Sequence, residues 1–317
     1  MSVHGQAEPA ARRVGEGVLS PSSHPWLQIH FCVVLWGFTA ILGKLISLPA
    51  FAIVWWRMLL VAIALTFVAK FWRGLGKLTP RLIAIYAGIG VIVALHWLTF
   101  YESIKQSNAS VAATCMALTS VFIAFVEPVI AWRRFDVREL IFGLAVLPGV
   151  VLVVGGTPDG MRVGIAIGAL SAFLVAIFSS LNKRFIEHGE ALSVTGIEMA
   201  AGAVMLTLAA LLVPGIESPF AWPQGRDAWY LLALAIGCTL LPFALSLVAL
   251  RKLSAFSTAL AVNMEPVYSI VLAIVLLGEQ RELEVRFYVG VAIILAVVFS
   301  HPFLYLSLGR GRVERVR

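Results

Sequence analysis

Ten apolar stretches follow one another along this chain, each close to the ~20 residues that a helix needs to cross ~30 Å of hydrocarbon at about 1.5 Å per residue. Their approximate limits are 27 to 46, 50 to 72, 81 to 104, 108 to 131, 138 to 155, 162 to 186, 193 to 213, 228 to 250, 254 to 277 and 285 to 305. The longest interruption, from Pro214 to Asp227, is a Pro/Gly-rich loop with Trp222 and Trp229 as interface anchors, so no soluble domain fits between the stretches. Composition agrees, since 60% of the 317 residues are hydrophobic and 13% charged. The expected fold class is an all-α polytopic membrane protein with ten transmembrane helices.

Ten crossings place both termini on one side, and the basic residues say which. Seventeen of the 24 Lys and Arg fall on the side of the termini, five on the opposite side, and Lys44 and Arg57 lie inside helices. That bias across short loops puts both termini in the cytoplasm, so the net charge of +7 reflects topology and no nucleic-acid partner is expected. Residues 1–26 read as a disordered cytoplasmic tail and 306–317 as a basic cytoplasmic tail. The first apolar segment is too long for a signal peptide and lacks a small-residue cleavage site, so it is expected to remain as a helix. Cys32, Cys115 and Cys238 all lie in apolar segments and read as small packing residues.

The sequence also repeats itself. WGFTAILGK at Trp36–Lys44 lines up with VAIFSSLNK at Val175–Lys183, and VWWRMLL around Arg57 with VTGIEMA around Glu198. Further on, Lys105–Phe122 aligns without a gap on Arg251–Tyr268. The matches keep one order over two halves, 27–155 and 162–305, and five helices per half make the second half an inverted copy of the first. Such inverted repeats characterise secondary transporters, in which one half rocks against the other around a midplane site.

The ninth segment is the most unusual. AFSTALAVNMEPVYSIVLAIVLLGE carries Asn263, Glu265 and Pro266 near its middle. An acid at the bilayer centre costs about 3 kcal/mol on insertion scales and normally faces a bundle interior or a watered cavity. Pro266 adds a break, because it supplies no N–H to the carbonyl of Val262. Two readings stay open: a cavity site, or a proline kink with the Glu265 carboxyl bonded to a neighbouring helix.

With those motifs in view, the chain resembles the EamA-type ten-helix permeases of the drug/metabolite transporter superfamily, over roughly residues 27 to 305. The resemblance is carried by Leu35, Trp36 and Gly37, by Arg57, by the SNASVAA stretch that opens the fourth segment, and by NMEPVYSIVLAIVLLGE in the ninth. It implies outward transport of amino acids, metabolites or drugs without ATP, through a cavity lined chiefly by helices 1, 3, 4, 6, 8 and 9. One departure stands out: the fourth segment has Ser120 where a proline is usual, and it lacks the LLGE-type ending. The repeat alignment pairs Ser120 with Pro266, so Glu127-Pro128 is not the counterpart of Glu265-Pro266.

The deepest polar residues are Glu265, His96 and Arg57, about 18, 12 and 10 Å from the outer ends of their helices. Glu265 and His96 together have the chemistry for proton-coupled export, while His96 alone reads equally as a helix-to-helix hydrogen bond. Arg57 cannot discharge and is expected in a structural pair with Glu102. Trp36, Trp97 and Tyr101 are the aromatics expected to cup an apolar or cationic solute. Glu198, about 7 Å from its helix end, reads as an ordinary interface carboxylate.

GFTAILGK fails as a phosphate-binding loop because five residues separate Gly37 from Gly43 and Leu45 follows the lysine. HExxH and GxSxG are absent, and the three aspartates lie in loops, so no metal, cofactor or catalytic constellation is expected. The reading is a non-enzymatic secondary transporter of a small organic solute in the bacterial inner membrane, with the lipid bilayer as its other partner and a homodimer left open. The alternatives are a membrane-embedded enzyme or sensor, or a channel. An alkaline phosphatase fusion placed after Val313 should be inactive in a bacterial host; periplasmic activity would contradict cytoplasmic termini.

Overall fold

The structure, a computed structural model, describes residues 23–132, 134–135, 141, 144–215, 220–242, 245–246 and 261–313, with side chains described for all of these except 23–24, 186 and 301–313. Residues 1–22 and 314–317 of the expected tails, 138–140 and 142–143 of the fifth segment, 243–244 and 247–250 of the eighth and 254–260 of the ninth lie outside the described residues. The described residues are helical, with no strand among them.

The first half contributes α1 (Ser23–Leu45), α2 (Ala50–Thr66), α3 (Ala69–Leu75), α4 (Pro80–Gln106), α5 (Ala109–Met116), α6 (Thr119–Ile130) and α7 (Leu147–Gly155). The second contributes α8 (Arg162–Phe185), α9 (Ala191–Leu212), α10 (Arg226–Leu232), α11 (Glu265–Leu272) and α12 (Val285–Val313). Two π-helical stretches, Ala233–Leu240 and Ala273–Leu277, continue α10 and α11.

Five spans among the described residues, one of them α5 and α6 taken together, are long and apolar enough to cross a membrane, or six if α2 and α3 form one span. The difference from the ten expected spans comes from breaks and from residues outside the description. The second segment, expected as one helix over 50–72, ends at Thr66, and the chain turns by 90° into α3. Val68 is extended there, and the Trp72 indole N–H caps the open helix end by donating to the Thr66 carbonyl at 2.8 Å.

The fourth segment breaks too, without a proline. Between α5 and α6 the amides of Ala117 and Leu118 reach back three residues, to Thr114 and Cys115, rather than four. Met264 does the same to Ala261 just before α11. The repeat alignment pairs Leu118 with Met264, and their backbones match: φ −67°, ψ −15° at Leu118 and φ −78°, ψ −10° at Met264. Where the second half has Pro266, the first has Ser120, whose hydroxyl donates to the Ala117 carbonyl at 3.2 Å. A serine therefore serves the loosened backbone where a proline loosens it in the other half.

The two halves are tied together at the end of the bundle where α5 begins. Gly278 adopts φ +71°, a left-handed conformation that glycine takes without steric cost, and turns the chain after α11 so that Glu279 faces the start of α5. The Glu279 carboxylate, 1% exposed, accepts from the Ala109 and Ser110 amides at 2.9 and 2.7 Å, and Asn108 both caps the same helix and donates to Glu282. A buried anion on otherwise unbonded helix-terminal amides is a strong clamp. At the opposite end Lys183 pairs with Glu127 at 2.6 Å and Arg184 donates to the Ile130 carbonyl, joining α8 to α6.

Packing between the halves is close. A β-carbon on Gly90 of α4 would lie 2.3 Å from the Glu198 carbonyl oxygen, so only glycine lets α4 meet the α9 backbone there. On the other flank Ser269 of α11 donates to the Gly37 carbonyl of α1, so Gly37 of the Leu35-Trp36-Gly37 motif sits where α1 meets α11.

Candidate functional site

Between the two halves lies a cavity of about 600 Å³. Both helix breaks open onto it: Ala117, Thr119 and Ser120 from one half, Val262, Asn263, Glu265 and Pro266 from the other. Near a break the backbone polar groups cannot all be satisfied within the helix, so irregular backbone at this depth belongs against a cavity. Five of the expected site residues, Trp36, His96, Trp97, Asn263 and Glu265, line this one space. The half-buried Glu265 faces the cavity at the first turn of α11.

Arg57 also lines the cavity, but its expected partner is wrong. Its Nε donates to Thr239 Oγ1 and its Nη1 to the Tyr101 hydroxyl, both at 2.8 Å, and its guanidinium carbon lies 3.8 Å from the Trp97 ring centroid. Glu102 instead accepts from Gln106, one turn along α4. The reason is geometric: Tyr101 and Glu102 are successive on a helix and point about 100° apart, so only one can face α2. Thr239 is delivered by the π-helical stretch, where its hydroxyl donates five residues back to the Leu234 carbonyl at 2.8 Å while accepting from Arg57. The guanidinium is thus held by neutral groups and a ring face, with no counterion bonded to it among the described residues.

Tyr101 is likewise corrected. It is fully buried behind the cavity wall, where it positions Arg57, and it does not line the cavity. His96 sits on the wall with both expected features. Ser171 Oγ donates to the His96 carbonyl at 2.9 Å, which leaves its oxygen to accept from His96 Nδ1 at 2.8 Å. That pairing fixes α4 to α8, and Nε2 is the nitrogen left for the cavity.

Sequence reasoning missed two contributions. Helices α2 and α9, formed by the second and seventh apolar segments, both supply charge to the cavity, beyond the segments that the resemblance implied. Glu198, read as an interface carboxylate, is 6% exposed and lines the cavity. The signal was present in the repeat, which pairs the Arg57 segment with the Glu198 segment.

A bundle of apolar helices enclosing a cavity with an arginine, two carboxylates and broken helices defines an integral membrane protein built to admit a small solute. The model of the EamA-like transporter family matches residues 26–155 and again residues 162–301. The chain belongs to the EamA-like transporter family. One solved crystal structure, 19% identical in sequence, superposes with a TM-score of 0.60 over 90% of this chain and 99% of that one, a likeness of fold. No curated protein matches the sequence.

The Arg57 geometry gives a direct test. Tyr101→Phe removes a hydrogen bond to a charged donor and should destabilise the purified protein by roughly 1.5 to 3 kcal/mol. Glu102→Gln should leave thermal stability within about 0.5 kcal/mol of wild type. The reverse ranking in a thermal-unfolding comparison would restore Glu102 as the partner.

Proposed function

We propose that this protein is a secondary transporter that exports a small organic solute from a bacterial cell by alternating access. In this reading ten spans form two inverted five-helix halves, 27–155 and 162–305, in the inner membrane with both termini cytoplasmic. The solute occupies the central cavity, contacted by Glu265, Asn263, His96, Trp36 and Trp97. The observation that carries the reading is the pair of matched breaks at 117–118 and 263–264, one from each half, facing a single cavity. Rocking of one half against the other requires interruptions of this kind around a shared midplane site.

Glu265 is the coupling residue in this proposal. Its carboxyl reaches the cavity at the first turn of a helix, where backbone amides favour an anion, and the field of Arg57 extends to it. The neutral form suits the apolar surroundings and the ionised form suits a bound cation or a departing proton. His96 Nε2 offers a second proton acceptor on the same wall.

The test is counterflow in proteoliposomes, run with and without a pH gradient against amino acids, amines and aromatic drugs as individual probes. Wild type should show saturable, trans-stimulated uptake of at least one probe; flux without counterflow would mark a channel, and turnover without flux an enzyme. Glu265→Gln preserves volume and hydrogen bonding, so it should insert normally while flux falls about tenfold or more, equivalent to about 1.4 kcal/mol. Wild-type flux with an unchanged response to the gradient would assign Glu265 to structure.

A further inference from the structure

We propose that Glu198 and Asn182 form a subsite of the cavity for a protonated amine, a deepening that rests on the transporter reading above. Both residues line the cavity, Glu198 from α9 and Asn182 from the last turns of α8. Glu198 is 6% exposed, and its Oε1 has no hydrogen-bond partner; Asn182 Oδ1 is buried and unpartnered as well. The Asn182 amide nitrogen is itself a donor toward the Glu198 carboxyl, so the oxygens left open are Glu198 Oε1 and Asn182 Oδ1. Two buried acceptor oxygens on neighbouring side chains, neither with a donor, form a place that only a donor completes.

Among the described residues no further donor reaches these two oxygens. Lys183 and Arg184, which follow Asn182, are committed to Glu127 and to the Ile130 carbonyl at the end of the bundle. Arg57 is bonded to Thr239 and Tyr101 and lies at another depth. Trp55 bonds Thr207 and Gly202 faces Met58, so Arg57 is level with a point on α9 about six residues, or ~9 Å, beyond Glu198. The start of α9 is pinned to the stretch after α2 by Ser193, which donates to the Phe71 carbonyl at 2.8 Å. Glu198 therefore lies towards one end of the cavity and Arg57 towards the other.

The chemistry selects the ligand class. An anion is repelled by the carboxylate, and a hydroxyl group offers one hydrogen to two acceptors. A primary ammonium offers three donors and a compensating charge, and the Thr195 and Ser179 side chains on the same wall provide further acceptors. The close approach of Gly90 to the Glu198 backbone fixes the point on α9 from which the carboxylate projects.

The experiment is calorimetric titration of the full chain in nanodiscs with two probes of one shape, phenethylammonium and 2-phenylethanol. Wild type should bind the ammonium at least tenfold more tightly than the alcohol. Glu198→Gln should bring that ratio close to one while still binding the alcohol, and Asn182→Ala, which leaves the carboxylate in place, should lower the ratio in the same direction. A ratio near one in wild type, an unchanged ratio in both variants, or a preference that vanishes in Glu265→Gln but persists in Glu198→Gln would overturn the subsite. Equal binding of both probes alongside genuine counterflow would sink the subsite alone. Ammonium selectivity without counterflow of any probe would sink the transporter reading instead.

Discussion

Everything in this structure depends on how backbone polar groups are satisfied where two helices stop being helices in the middle of an apolar bundle. An intact ladder would leave nothing at this depth but side chains. At Ala117–Leu118 and at Met264 the bonding shortens to three residues, the helix restarts, and the restarted turn brings Thr119 and Ser120 or Glu265 and Pro266 to the cavity. One half achieves this with a proline and the other with a serine hydroxyl on the freed carbonyl. The chemistry differs while the geometry is the same, which is the behaviour expected of two copies that share a structural constraint and have diverged in sequence.

The charges are arranged around those breaks. Arg57 is held by Thr239, Tyr101 and the Trp97 face, so its charge is positioned without being cancelled and acts across the cavity. The carboxylates of Glu265 and Glu198 come from different helices of the second half, and the cavity wall also carries apolar side chains, Val61, Val93, Phe100 and Phe178 among them. Outside the cavity the clamps are of another kind. Glu279 is fully bonded and buried, with its charge spent on α5 amides, and the Lys183–Glu127 pair is exposed on the lysine side and worth little by itself. Charge inside the cavity is left available, and charge at the ends of the bundle is consumed by structure.

Much of this was legible in the sequence because it follows from hydropathy and internal repetition. The helical class and the two halves needed only segment lengths and a register, and the convergence of Trp36, His96, Trp97, Asn263 and Glu265 needed in addition the cavity-lining helices that the resemblance implied. What failed was rotational phase and local bending. Whether Tyr101 or Glu102 meets Arg57 turns on 100° around α4, which an apolar helix does not encode in its composition. The 90° turn after Thr66 falls in a stretch apolar enough to read as one span. The break without proline at Ala117 was visible only through its repeat partner, and the partnership of Arg57 with Glu198 was weighed less than the depth of Glu198 along its own helix.

The central claim is that one site between matched breaks is reached from each side of the membrane in turn. It is tested most directly by a single cysteine at Asn263 in a background where Cys32, Cys115 and Cys238, the last of which also lines the cavity, are all replaced by serine. A membrane-impermeant thiol reagent should label Asn263→Cys from the periplasmic face in whole cells and from the cytoplasmic face in inverted vesicles. A cross-link that holds α6 to α8 at the Glu127–Lys183 end should abolish labelling from that end and spare the other. Labelling confined to one face in every condition, or passage of the reagent through the cross-linked protein from either face, would contradict the account.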